Sequence, residues 1–505
     1  MHRSSSEIPM TATATAPTTS AARIQRRKPL QVRIGTFAVG HEPYWAQFPG
    51  LLEDLMGWHG DFVAQMQGHG AEMIDLGMVD SAAKAREILP RLRAADLDLL
   101  MVDMITYASS STFGIIARGL EVPIVLVALQ PHGAMDYDRA TTYMQLCHDN
   151  ICAIPEFSNA MVRMGKPAPF SVIGTLHDDP EASAELARWV RVGRVLHDLK
   201  RARIGQFGHV LEAMYDMHVD QTALTRAFGV HVVQTEIDDL LRLERGIDEA
   251  AIAAKQAEIL AMFDTPTPEN DPLTSKLTEK DLRNAAKGAV ALERFIAEHD
   301  LDGLAYFYKG EAGSEQERIG GSLIVGNSLL CAAGFPMCGE HDLKTCIGMM
   351  IMDRLDIGGS FAEFHPVDFA NNSVLVGHDG PHHIKIADGR PVLRSLAKYH
   401  GKSGSGASVE FQIKAGPITM LGVTTTADGS FKFVVTEGES RRHKIPATGN
   451  TNTHGVFGSS VRRFLQRWFA EGPTHHFALG IGHHAEDIRL VGAALGIPVA
   501  VVPCD

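Results

Sequence analysis

The sequence predicts an α/β protein: two doubly wound parallel-sheet domains followed by a mostly antiparallel β C-terminal domain. Three observations carry that reading. The chain has 505 residues, well beyond the roughly 250–300 at which one core stops growing. From residue 30, short apolar runs alternate with helix-length segments, the rhythm of βαβ units. After about residue 355 short strands with two-residue alternation take over, separated by Gly-bearing turns.

The elements follow in order. Gln31 to Val39 reads as a first strand, then 46–67 as a helix and Ala71 to Leu76 as a strand. Asp80/Ser81 is a cap signal that opens a helix to Leu92. Leu97 to Asp103 and Val122 to Leu129 are apolar throughout, as strands buried on both faces are, with helix Ser110 to Gly119 between them. A long helix covers Ala182 to Lys200, and the rhythm restarts with strands Ala202–Phe207, Val230–Thr235 and Leu304–Tyr308. Helices are expected over Ile237–Asp264, Thr278–Glu298 and a Met-rich stretch ending at Leu355. Short strands are then expected at Ser373–Val376, His383–Ile386, Val409–Ile413, Ile418–Thr424 and Phe431–Val435, with Asp428-Gly429 as a hairpin turn. Helix Val461–Ala470, strand Phe477–Ile481, helix Glu486–Leu495 and strand Val499–Val502 close the chain. The expected divisions are a disordered tail over 1–29, an N-terminal α/β domain over 30–198, a central one over 199–355 and the β domain over 356–505.

Composition excludes several function classes. Hydrophobic residues make up 45% and charged residues 21%, an ordinary globular balance, and the formal charge is −13. An acidic chain lacks the basic footprint of a nucleic-acid binder and is repelled by anionic lipid. Apolar runs such as Val122 to Leu129 are far shorter than the roughly 20 residues a membrane span requires. The six cysteines form no CxxC pair and read as free thiols of a reducing cytoplasm. Residues 1–28, rich in Ser, Thr and Ala with Arg23, Arg26, Arg27 and Lys28 at the end, contain no apolar core of a secretory signal. Gly310 to Gly321 is too acidic to cradle phosphate, and Gly401-Lys402-Ser403 lacks the leading glycine of a Walker motif, with Leu396 in its place.

Four segments place carboxylates or imidazoles at element ends. Gly339-Glu340-His341-Asp342 opens the Met-rich helix, where a carboxylate also complements the helix dipole. Ser360-Phe361-Ala362-Glu363 sets an acid among phenylalanines, a costly position unless it is paired or coordinated. Val374-Leu375-Val376-Gly377-His378 ends a strand in a histidine, and Phe477 to Gly482 runs into His483-His484. Each alone has an ordinary structural explanation. Together they form a mixed oxygen and nitrogen donor set suited to Mn²⁺, Co²⁺, Mg²⁺ or Zn²⁺.

The stretches GEHDLK, GGSFAEF, VLVGHDG and GIGHHAED, in this order, resemble the L-arabinose isomerase family of the L-fucose/L-arabinose isomerase fold group. The resemblance implies a divalent cation, Mn²⁺ first, held by Glu340, Glu363, His378 and His484, with His483 beside the sugar; the family pair leaves open which of the two histidines ligates. It implies an aldose–ketose isomerase, L-arabinose to L-ribulose with D-galactose to D-tagatose beside it, working through a cis-enediol with Glu340 and Glu363 as the acid/base pair. It also implies a cytoplasmic hexamer in which Gln130 matches a sugar-contacting glutamine of the neighbouring subunit and His41 lies in another sugar-contacting loop. Leu343 stands where the better-known members carry Trp, and Gly40-His41-Glu42-Pro43 departs from their loop. The metal shell is thus retained while the sugar pocket is altered. Two rival readings are a metal-dependent aldolase or hydrolase acting on sugars, and a sugar-binding or regulatory protein without catalysis.

Overall fold

The computed structural model describes residues 24–210, 214–266, 277–378, 382–395, 406–444 and 451–504. Most of the expected tail, the Leu396 to Ser403 stretch and Asp379 to Pro381 lie outside the described residues.

The fold class is the expected one. The first sheet holds β1 (Arg33–Val39), β2 (Glu72–Val79), β3 (Leu99–Asp103), β4 (Ile124–Gln130) and β5 (Phe170–Thr175). All pairs are parallel and the order is β2-β1-β3-β4-β5. Strand alternation serves two cores. Met101 and Val127 face the helices Leu51–Gly68 and Pro180–Leu199, whereas Val102 and Leu126 face the helices on the other side. The second sheet, also parallel, holds β6 (Arg203–Phe207), β7 (His231–Thr235), β8 (Gly303–Tyr306) and β9 (Met337–Cys338) in the order β7-β6-β8-β9.

The remaining strands are β10 (Gly358–Asp368), β11 (Ser373–His378), β12 (Val392–Ser395), β13 (Ala407–Glu410), β14 (Gly416–Thr425), β15 (Phe431–Arg441), β16 (Thr451–Val456), β17 (Phe477–Ile481) and β18 (Val499–Val501). Strands β12 and β13 form their own pair. The others run β14-β17-β10-β11-β16-β15-β18, and the long β14–β15 hairpin closes six of them into a barrel. Closure removes free edges, which matters for a sheet this apolar. Only β18 adds in parallel, outside the ring on β15.

Differences from the expected elements have physical causes. Glu315–Ala332 is a helix buried on almost every side, so no amphipathic stripe announces it. The expected helix Ile237–Asp264 is two, Ile237–Arg245 and Glu249–Met262, because Asp248 caps the second through Ala251 N–H at 2.8 Å. His383–Ile386 is a 3₁₀ turn rather than a strand. The end of the expected tail is docked, not free. Asp353, almost wholly buried, demands cations, and Arg26 meets it as a fork while Lys28 reaches Asp302 at 2.6 Å.

One apolar core runs through the second sheet, the barrel and the inner face of the first sheet, across the divisions we propose near residues 198 and 355. At its centre lies the helix Leu343–Arg354, all of whose residues are buried. It leads into β10 through Gly358 and Gly359, both with positive φ, and a Cβ at Gly359 would stand 2.6 Å from the Met349 carbonyl oxygen. The approach of helix and strand therefore requires glycine there.

Beneath the first sheet, buried His59 bridges Asp103 (2.7 Å) and Asp75 (3.0 Å). Burial alone would lower its pKa, but the two carboxylates carry it up to about 9. A raised folded-state pKa gives stability that is complete below the unfolded value, about 6.5, and is lost as pH rises through about 9. Urea unfolding from pH 6 to pH 10 should therefore show the gap between the wild type and His59→Gln shrinking across that window; a gap independent of pH would refute the charge assignment.

Candidate metal centre

Strand β10 is long enough to hand over from one neighbour to another. Its second half pairs with β11, Glu363 opposite Gly377, and its first half pairs with β17, Ala362 opposite Phe477. Strand β11 ends and β17 begins at the same level of β10, beside Glu363. His378, the last residue of β11, and His476, just before β17, meet there. Glu363, His378 and His476 each bring a ligand atom within 4.8 Å of the others. Glu340, His475 and His476 form a second such trio, with His476 common to both.

Glu340 arrives from the other side, beyond the carboxyl end of β9. It and His341 both take left-handed backbone, φ +58° and +61°. Non-glycine residues hold that conformation only where surrounding structure imposes it. Here the constraint is the turn from β9 into the buried helix, pinned by His341 N–H donating to the Tyr306 carbonyl at 3.0 Å.

Asp342 ties these parts together. Its carboxylate caps the helix Leu343–Arg354, accepting from Thr345 N–H at 3.0 Å and from the Thr345 hydroxyl at 2.7 Å. It also meets His476 Nδ1 at 3.0 Å. A histidine whose one nitrogen is fixed by a carboxylate presents the other in a set direction, the usual arrangement behind a metal ligand. His476 Nε2 stands 3.3 Å from Glu340 Oε2, yet both atoms are buried and neither completes a hydrogen bond. Burial alone would lower the His476 pKa, but Asp342 and Glu340 carry it up to about 9. Burial pushes the Glu363 carboxyl up. Phe361, fully buried, packs against both the His378 and His476 rings, 4.3 Å from each, and those two rings meet edge-on at 5.1 Å. A cluster of two carboxylates and two imidazoles, with Glu340 Oε2 and His476 Nε2 buried and unsatisfied, fits a divalent cation.

His475 is held differently. Its Nδ1 lies 2.6 Å from Asp216 Oδ2, and its backbone N–H donates to the same oxygen at 2.9 Å. Burial alone would raise the Asp216 carboxyl, but His475 holds it well below the usual carboxylate range.

Three of the expected ligands, Glu340, Glu363 and His378, are therefore brought together, whereas His484 and His483 are not. The five-residue strand β17 lies between the two histidine pairs and at about 3.3 Å per residue separates them by roughly 16 Å. His484 instead joins Asp487 at 2.6 Å, and Asp487 takes Arg191 at 2.9 Å from the helix Pro180–Leu199. His483 Nε2 faces the Gly438 carbonyl at 3.2 Å. Sequence reasoning missed Thr474-His475-His476, a second histidine pair at the opposite end of the same strand. The rule that ligands gather at carboxyl ends of strands belongs to parallel sheets; in an antiparallel barrel either end is available. The expected sugar contacts lie elsewhere. His41, after β1, packs edge-on against Tyr44 and Tyr107, and Gln130 ends β4, paired with Thr175.

No family model matches the chain. It is 24% identical over 359 residues, 69% of each chain, to an L-arabinose isomerase of Nocardioides sp. (strain ATCC BAA-499 / JS614). It is also 23% identical to a sulfoquinovose isomerase of Alkalicoccus urumqiensis, over 68% of this chain and 75% of that one. This chain is a homologue of sugar isomerases. A further isomerase relative, the sulfoquinovose isomerase of Priestia aryabhattai, is 21% identical over 84% of this chain and 90% of its own. The isomerase homology thus covers most of the chain.

The double duty of Asp342 has a measurable consequence for the isomerase homologue. Asp342→Ala removes a helix cap and strands a buried imidazole, which together should cost about 3 kcal/mol. Urea denaturation of the metal-free protein checks this; a loss below about 1 kcal/mol would mean that neither contact is strong.

Proposed function

We propose that the chain is a metal-dependent aldose–ketose isomerase whose cation is held by Glu340, Glu363, His378 and His476. The observation that supports this reading best is the convergence of two carboxylates on two imidazoles at the β10 handover, where buried Glu340 Oε2 and His476 Nε2 lack hydrogen bonds. Mn²⁺ is the proposed ion, with Co²⁺ or Mg²⁺ as alternatives that suit the same donors. When bound, such a cation polarises the sugar carbonyl and its neighbouring hydroxyl as a Lewis acid.

The chain's own residues do the rest. Glu340 and Glu363 approach from opposite sides, one from the second sheet and one from the barrel. One carboxylate takes the proton from the carbon next to the carbonyl, and the other passes a proton between the two oxygens, through a cis-enediol of the sugar. Asp342 keeps His476 oriented, and Phe361 closes the floor against water. Interconversion of aldose and ketose changes no mass and needs no redox partner.

L-arabinose to L-ribulose, with D-galactose to D-tagatose beside it, is the first substrate reading. A sulfonated hexose is the second, favoured by the relatives named sulfoquinovose isomerase, of which two align over 84% of this chain and 90% of their own. Cytoplasmic location and a homo-oligomer, a hexamer in which His41 and Gln130 reach a neighbour's sugar, belong to the same reading. Among the described residues no helix is long and apolar enough to cross a membrane.

Incubation with Mn²⁺ and a panel of neutral and sulfonated aldoses, read by product identity, tests the reaction. Glu340→Gln and Glu363→Gln should each lower kcat by about 10³-fold or more, and chelator should abolish turnover reversibly. His476→Ala should weaken Mn²⁺ binding by about 10-fold or more, while His484→Ala leaves it within about threefold of the wild type. Near-normal turnover in either glutamine variant would sink the assignment.

A further inference from the structure

His341 is not among the atoms gathered for the cation, yet it is the least comfortable residue near them. It is 6% exposed, and both ring nitrogens are buried without a hydrogen-bond partner. An imidazole carries a donor and an acceptor, and native interiors rarely leave either unmet. Its backbone is also left-handed, φ +61°, where glycine would cost nothing. A side chain kept in a strained backbone position, with nothing to bond, is expected where a ligand supplies the missing partners.

Its place in the fold says which ligand. In the order β7-β6-β8-β9 the chain switches direction between β6 and β8, and crevices at such points take ligands beyond the carboxyl ends of parallel strands. His341 N–H is anchored on Tyr306, the last residue of β8. His209, just after β6, is near enough to bear on it electrostatically, and the His209 ring packs at a tilt against Phe307, 4.2 Å away. Consecutive Cα atoms are about 3.8 Å apart, so His341 stands one residue from Glu340, within the length of a sugar chain.

We propose that His341 is a specificity-determining residue that hydrogen-bonds the end of the sugar remote from the carbonyl. This rests on the isomerase reading above. The carbonyl end lies at Glu340 and Glu363, and the terminal substituent reaches the crevice between β6 and β8. A site built to bond a hydroxyl rejects the analogue that lacks it, because its own polar groups are then left unpaired.

The test uses two polyols that no isomerase can convert, L-arabinitol and galactitol, which differ by one terminal CH₂OH. Their Kd values are measured by calorimetry on the Mn²⁺-loaded full chain for the wild type, His341→Gly and His341→Asn. Glycine suits the backbone, so that variant folds; asparagine tolerates it and keeps a donor and an acceptor. The ratio of the two Kd values should fall by about tenfold or more in His341→Gly and stay within about threefold of the wild type in His341→Asn. Mn²⁺ affinity should not move. An unchanged ratio in His341→Gly overturns the proposal, as does a loss of Mn²⁺ binding that accompanies the loss of polyol. Aldose turnover by the wild type separates the two claims. A wild type that isomerises sugars with an unchanged ratio in the glycine variant refutes only the role of His341. A wild type that isomerises nothing refutes the isomerase reading.

Discussion

Much of this structure depends on one carboxylate. Asp342 caps the wholly buried helix Leu343–Arg354 and orients His476 from the barrel. The helix runs between the second sheet and the barrel, so its start fixes where the two halves of the donor set meet. Glu340 reaches the site from the turn before that cap, and Glu363 reaches it from β10, which begins after the helix ends. Buried at both ends of its hydrogen bonds, Asp342 cannot be replaced by water. Assembly of the donors and stability of the core are therefore one problem here.

The barrel solves the other half. A strand with two partners along its length brings together residues that a simple meander would keep apart. Because β10 exchanges β11 for β17 at Glu363, the end of one strand and the start of another converge on it. Closure through the β14–β15 hairpin then holds that junction rigid. Rigid strands suit ligands whose geometry must be set before an ion or a sugar arrives.

Charged ties hold these layers in place. Arg26 from the N-terminal segment, Arg354 and His383 surround buried Asp353 at the far end of the central helix. His484, Arg188 and Arg191 share Asp487, joining the last helix to Pro180–Leu199. Asp353 and Asp487 are each met by more than one cation or ring, as burial of charge requires. His484, one of the histidines that the sequence offered as a ligand, thus takes part in the contact between the barrel and the first sheet.

Local pattern determined a good deal. The alternation of apolar runs and helices specified two parallel sheets, and the Asp428-Gly429 turn specified the β14–β15 hairpin, because backbone preference and side-chain period act within a few residues. Glu340, Glu363 and His378 were legible as candidate donors because a charged or polar group at the end of an apolar segment has few cheap explanations. What sequence could not supply was which histidine pair lies beside Glu363. His475-His476 and His483-His484 flank one strand, and their local settings are alike. Only the antiparallel register of β17 on β10 decided which end faces Glu363. The same holds for His341, ordinary in sequence, whose buried and unpartnered ring becomes evident only when the central helix and the second sheet close around it.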